Sequence, residues 1–157
     1  MNEGRFTTTL FCDDVRQEVG NKLSFIGVYN GGQLLIEGIP GILPKLCAHT
    51  VAQTPIDKPF RSLSFKAYLG EELLGLVDVP QSDLERIQRQ VPSGVDARAV
   101  AVGTIFAFSP FVIAEATVLR IVVTTEEGEL PPNRLWIRQQ EPTAAVPAVA
   151  KELAKTH

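Results

Sequence analysis

The stretch Phe11-Cys12-Asp13-Asp14-Val15-Arg16-Gln17-Glu18-Val19-Gly20-Asn21-Lys22-Leu23-Ser24-Phe25-Ile26-Gly27-Val28-Tyr29 holds the densest cluster of charge in the chain, set between two apolar runs. Both runs read as strands. The simplest reading ends one strand at Cys12, closes a polar connection at Gly20-Asn21, and starts a second strand at Leu23. Asp13 and Asp14 then cap backbone N–H groups in the turn, as short carboxylates do. Arg16, Glu18 and Lys22 become partly exposed ion pairs that contribute little to stability. A sharper reading gathers Asp13, Asp14 and Glu18 into a calcium site. Calcium takes about six to eight oxygen ligands, and three carboxylates interleaved with two cations fall short. A structural role is therefore the expectation.

On the N-terminal side, Arg5 to Cys12 places Phe6, Leu10 and Cys12 on one face and Phe11 on the other, and its three threonines favour a strand. On the C-terminal side, Leu23 to Tyr29 is apolar on both faces, as inside a sandwich. Asn30-Gly31-Gly32 tolerates positive φ and signals a hairpin into a third strand, Gln33 to Glu37. Gly38-Ile39-Pro40-Gly41 breaks that strand. A fourth runs from Leu46 to Gln53 and stops at Thr54-Pro55.

Arg61 to Leu69 alternates most cleanly: Leu63, Phe65, Ala67 and Leu69 face one way, and Ser62, Ser64, Lys66 and Tyr68 the other. It reads as a half-buried antiparallel strand. Gly70-Glu71 turns it into a partner, Glu72 to Val79, which Pro80 ends. From Ser82 the period becomes helical, with Leu84, Ile87 and Val91 on one stripe and Ser82 with Glu85 as a capping box. The spacing predicts a short helix over Ser82 to Gln90 lying across one end of the core, stopped by Pro92-Ser93-Gly94.

Two long strands follow. Ala97 to Phe108 has large residues on one face and Ala99, Ala101, Gly103 and Ala107, with Ile105, on the other. Val112 to Thr124 turns Leu119, Ile121 and Val123 inward, leaving Val118 and Val122 around Arg120 outside. Those outward valines mark a covered surface. Arg134 to Arg138 is the last strand and holds Trp136, the sole tryptophan.

Short strands at regular spacing with turn signals between them predict one all-β antiparallel β-sandwich over residues 1–139. It would have about seven to nine strands, be immunoglobulin- or C2-like in plan, and carry one capping helix. A flattened barrel is the alternative. Residues 140–157 form a Pro/Ala-rich tail in which Ala148 to Lys155 could make two helical turns, too few to stand alone in water.

The whole chain of 157 residues is 45% hydrophobic and 21% charged, ordinary for one globular domain. A net charge of −3 argues against a nucleic-acid binder, and no basic block appears: Arg86 and Arg89 sit beside Asp83 and Glu85. The first residues lack the pattern of a signal peptide, and no stretch is apolar for long enough to span a bilayer. A cytoplasmic location is expected, or a virion if the gene belongs to a phage. In a reducing compartment Cys12 and Cys47 are expected as reduced, buried, small hydrophobes.

No phosphate loop or dinucleotide fingerprint follows a strand, and no G-x-S-x-G, H-E-x-x-H or C-x-x-C occurs. His49 stands alone within its strand. The expectation is a protein that is not an enzyme, with no catalytic residues, cofactor or metal. A hydrolase built on Asp13, Asp14 and His49 is the least favoured alternative.

The pattern Phe11-Cys12-Asp13-Asp14-x-Arg16-x-Glu18, followed by Lys22-x-Ser24-x-x-Gly27-x-Tyr29, resembles the signature of a family of small bacterial proteins of unknown function. The resemblance implies a shared, mostly β fold and no particular activity. These residues carry over as parts of a signature and not as catalysts.

The functional expectation is a non-catalytic interaction or structural module, self-associating or bound to a protein partner. It would be one subunit of a larger assembly such as a phage or prophage particle. The expected contact residues are Val118, Arg120 and Val122 on the sheet and Val146, Val149 and Leu153 in the tail. A calcium- or small-ligand-binding sandwich is the second reading.

Overall fold

Alternation sends successive side chains of a strand to opposite faces, and the chain uses this to build two packed layers. The computed structural model describes residues 3–91 and 96–142. Within them run β1 (Phe6–Glu18), β2 (Lys22–Val28), β3 (Gln33–Ile36), β4 (Gly41–Leu43), β5 (Leu46–Pro55), β6 (Leu63–Leu69) and β7 (Glu72–Asp78). The helix α1 (Gln81–Arg89) follows, then β8 (Ala99–Phe108), β9 (Phe111–Ile113), β10 (Thr117–Thr125), β11 (Gly128–Glu129) and β12 (Asn133–Gln139). All nine strands read from the sequence are present. The three others are only two or three residues long.

The first layer has the order β2-β1-β5-β8 and is antiparallel throughout. The second has the order β3-β12-β10-β6-β7, with β11 paired to β10. Between them lie Phe11, Leu46, Ala48, Val102 and Phe106 from the first layer and Leu34, Phe65, Leu119, Ile121, Leu135 and Ile137 from the second. Each of these side chains but Ala48 contributes roughly 1.5–3 kcal/mol when fully buried. The helix adds Leu84, which is fully buried, and Gln88 donates to the carbonyl of Phe60. Among the described residues the fold is thus an all-β sandwich with one short α-helix. Among the described residues no helix is long and apolar enough to cross a membrane.

Several local expectations fail for physical reasons. Asp13 to Glu18 belongs to β1 and not to a connection; the turn shrinks to Val19-Gly20-Asn21, where Gly20 and Asn21 take positive φ. Asn30-Gly31-Gly32 does not close a hairpin. It forms a single 3-10 turn that carries the chain from one layer to the other, so that β3 pairs in parallel with β12. The sandwich is therefore not wholly antiparallel.

The helix begins one residue early, at Gln81, and Pro80 occupies the cap without a side-chain hydrogen bond, so Ser82 makes no capping box. The strand expected over Val112 to Thr124 is interrupted at 114–116. Its first piece, β9, pairs with β4 in a separate ribbon. The helix stop at Pro92-Ser93-Gly94 and the tail from residue 143 lie outside the described residues.

A buried clasp ties the chain's start to the layer edge. The Arg5 side chain is fully buried. It donates to Thr54 Oγ1 (3.1 Å), to the carbonyls of Lys58 and Pro59 (3.2 Å each) and to Glu126 Oε1 (2.7 Å), and it stacks on Phe60 with the guanidinium 4.8 Å from the ring. Burial pushes the Glu126 carboxyl up. Hydrogen bonds from Arg5 and from the backbone N–H groups of Ser62 and Arg61 outweigh that and bring it down to about 2.

A folded value below the unfolded 4.5 means that Glu126 adds stability above about pH 4.5, lost as the pH falls toward 2. Glu126→Gln should lower stability at neutral pH by on the order of 3 kcal/mol, because Arg5 stays buried beside an uncharged amide. It should also flatten the decline between those pH values. Urea unfolding across pH checks both; equal acid slopes in the two proteins would contradict the assignment.

Candidate functional site

The charged stretch near the N-terminus is a corner. β1 pairs with β5 from Phe6 to Cys12 and with β2 from Cys12 to Glu18, so only Cys12 is paired on both sides. Beyond Cys12 the β1–β2 ribbon crosses the outer face of the first layer. The Phe25 ring lies 5.2 Å from the His49 imidazole, and Gln17, Asn21 and Leu23 share an open hollow of about 630 Å³ with His49, Gly103 and Ile105.

The two aspartates part company at this corner. Tyr29 donates to Asp13 Oδ1 at 2.5 Å. Burial, then this bond to a carboxylate, push the Tyr29 hydroxyl well above its ordinary pKa. Asp13 gains room because the opposing residue is Gly27: a Cβ there would lie 2.1 Å from Asp13 Oδ2, and Gly27 has φ +66°. Asp14 accepts instead from Lys45 Nζ at 2.5 Å and from the backbone N–H of Val15 at 3.0 Å, with Arg16 at 3.6 Å. The Lys45 bond lowers the Asp14 carboxyl and raises the Lys45 ammonium. Among the hydrogen bonds of the described residues Asp14 accepts a backbone N–H, but within β1, so neither aspartate caps a turn as expected.

Glu18 and Lys22 face each other across the last pair of the ribbon, and Arg16 faces Ser24. Cys12 and Cys47 are free, buried and directly opposite. Burial raises both thiols, keeping them protonated and unreactive. His49 is pushed down by burial and rests against Phe25. The signature residues thus hold one another. Asp13 and Asp14 turn to different partners, as neighbours on a strand must. Among the described residues no three His, Cys, Asp or Glu side chains gather as a metal site would require.

The surface with chemistry to offer lies on the other layer. Leu135 and Ile137 of β12 are buried, so Arg134, Trp136 and Arg138 alternate with them on the outer face, all exposed. Beside them β10 presents Val118, Arg120 and Val122, and β6 presents Lys66 and Tyr68. The far strand, β7, adds Leu73, Leu76 and Asp78. Arg120 stands directly opposite Arg134, an arrangement that costs stability in a sheet. Arg120 turns toward Tyr68 (5.4 Å from the ring), donates to the Gly70 carbonyl (2.9 Å) and meets Glu71 at 3.7 Å. Arg138 lies 5.7 Å from the Trp136 ring.

Of the residues expected at a contact surface, Val118 and Arg120 are partly exposed on this face. Val122 is not available: at 6% exposure it is covered within the chain, opposite Lys66 and between Arg120 and Thr124. Long cationic side chains cover apolar neighbours with their stems. Val146, Val149 and Leu153 lie outside the described residues. Sequence reading missed Arg134, Trp136, Arg138, Lys66 and Tyr68 as one surface. The two-residue spacing on β12 was a visible signal; the company of β6 and β10 was not. No protein-family model matches the chain, and a search of curated proteins finds no match.

The corner yields a direct test. Gly27→Ala should destabilise the protein by at least about 2 kcal/mol, from positive φ and collision with Asp13. Asp13→Ala in the same chain should recover part of that loss, since it removes the colliding carboxylate. A double-mutant cycle from thermal or urea unfolding checks it; strict additivity would mean that the two residues do not share this space.

Proposed function

We propose that this protein is a non-catalytic interaction module that docks a protein partner on the outer face of the β3-β12-β10-β6-β7 layer. The observation that carries the reading is Arg120 opposite Arg134 beside an exposed Trp136. The pairing works against folding, and Trp, Tyr and Arg are the residues that dominate binding energy at protein interfaces. The polar residues near the N-terminus support the same reading from the other side, because their hydrogen bonds are spent on holding a corner. Membership of a larger assembly follows naturally for a small sandwich that presents one such face.

Affinity purification from the source cells followed by cross-linking tests it. A polypeptide should co-purify in fixed stoichiometry and cross-link near β10 and β12, and Arg134→Glu should release it while the far-ultraviolet spectrum is unchanged. A chain that purifies as a strict monomer without partner, or whose partner cross-links only elsewhere, would overturn the reading.

A further inference from the structure

We propose that the partner segment bound by this face is acidic and carries large aliphatic side chains between its carboxylates. The inference rests on the docking reading above and specifies its chemistry. Charge is the first argument. The chain has a net charge of −3, yet the outer positions of this layer carry Arg120, Arg134, Arg138 and Lys66 against two carboxylates, Asp78 on β7 and Glu129 opposite Thr124. Glu71, reaching Arg120 from the β6–β7 turn, is almost fully exposed and its contact is weak in water. Among the described residues neither Arg134 nor Arg138 has an ion-pair partner. Arg120 is turned toward Gly70 and Glu71, so an arriving carboxylate would meet Arg134 or Arg138, where it would form a charge-assisted contact.

Spacing is the second argument. Arg134 and Arg138 are four residues apart on one strand, roughly 13 Å, with Trp136 midway on the same face. An extended segment repeats that distance between residues i and i+4 and sets residue i+2 over the indole. Carboxylates at the ends and an aliphatic group at the middle would match Arg134, Trp136 and Arg138 in turn. Trp136 lies between Val118 and Gln33, so the middle position has the indole as its floor and one apolar wall, and half-exposed Leu35 stands beside Arg138.

Other occupants fit less well. The chain's own residues 143–157 contain Lys151 and Lys155 against Glu152, the same sign as the face. A nucleic acid would approach a molecule of net negative charge and find Leu35, Leu73 and Leu76, each about half exposed, with nothing to give a phosphate.

Because Trp136 is the sole tryptophan, its emission reports on this face alone. The full chain is titrated with a short synthetic peptide of repeated Glu-Ser-Leu-Ser units, with the same peptide carrying Gln for Glu, and with oligouridylate. The acidic peptide should shift the emission to the blue and saturate at or below roughly 100 µM. Its affinity should fall about tenfold between about 50 and about 300 mM salt. The Gln peptide and oligouridylate should not saturate. Arg134→Gln with Arg138→Gln should weaken binding about tenfold or more while the thermal midpoint moves by no more than about 2 °C.

Equal binding of the Gln peptide, binding of oligouridylate in place of the acidic peptide, or no saturable response would each overturn the inference. So would an indole emission that is already blue in the free chain and unmoved by peptide, because the face would then be covered by the chain's own tail or by a second copy. If the peptide fails while the partner from source cells still cross-links to β10 and β12, the docking reading stands and only the acidic character of the partner falls.

Discussion

One strand serves two partners, and the molecule is arranged around the residue where it changes over. Up to Cys12, β1 runs along the edge of the first layer beside β5, giving Phe11 to the core; after it, β1 is half of a ribbon with β2 that crosses that layer's outer face. β5 reaches only one residue, Leu46, beyond Cys12's partner Cys47, so past that point β1 needs something other than β5 to fix its course. Asp13 over Gly27 and onto Tyr29, with Asp14 on Lys45, supplies it. The absence of a Cβ at Gly27 is as much a part of the joint as the carboxylate that occupies its place.

The opposite end of the same strand is held by a different device. Arg5 is buried with its charge met by Glu126 and, at 3.7 Å, Glu127, and its Nε and Nη2 donate to a threonine hydroxyl, two carbonyls and Glu126. The half of β1 that pairs with β5 is therefore bracketed by polar contacts, at Arg5 before it and at Asp13 and Asp14 after it, while Phe11 between them is anchored by apolar burial. Such a strand has little freedom to slip in register, because a slip of one residue would expose Phe11 and also break both polar anchors. The energetic weight of the charged residues is thereby spent on architecture, and the surface chemistry is left to the second layer.

Most of the fold was legible because alternation is a local property. Leu63, Phe65 and Ala67 against Ser64, Lys66 and Tyr68 could be assigned to faces without knowing what lay opposite. The hairpin expected at Asn30-Gly31-Gly32 failed because the same positive φ that suits a hairpin also suits a passage between layers. Turn chemistry sets local bending and says nothing about which strand comes next. Asp13 to Glu18 was read as connection because charges are common in loops, yet a two-stranded ribbon leaves enough of each residue in water for charges to alternate along it.

Periodicity and turn residues alone determined that this chain is a β-sandwich with one short helix, and that Leu119, Ile121 and Phe65 belong to its core. They could do so because burial of every second residue is written into neighbouring positions. Tertiary structure alone decided that Tyr68, Arg120 and Arg134, up to 66 residues apart, stand in one row across three strands beside Trp136, and that Gly27 lies beneath Asp13. Sheet order and register are long-range choices, made by the packing of whole layers, and no local pattern of side chains encodes them.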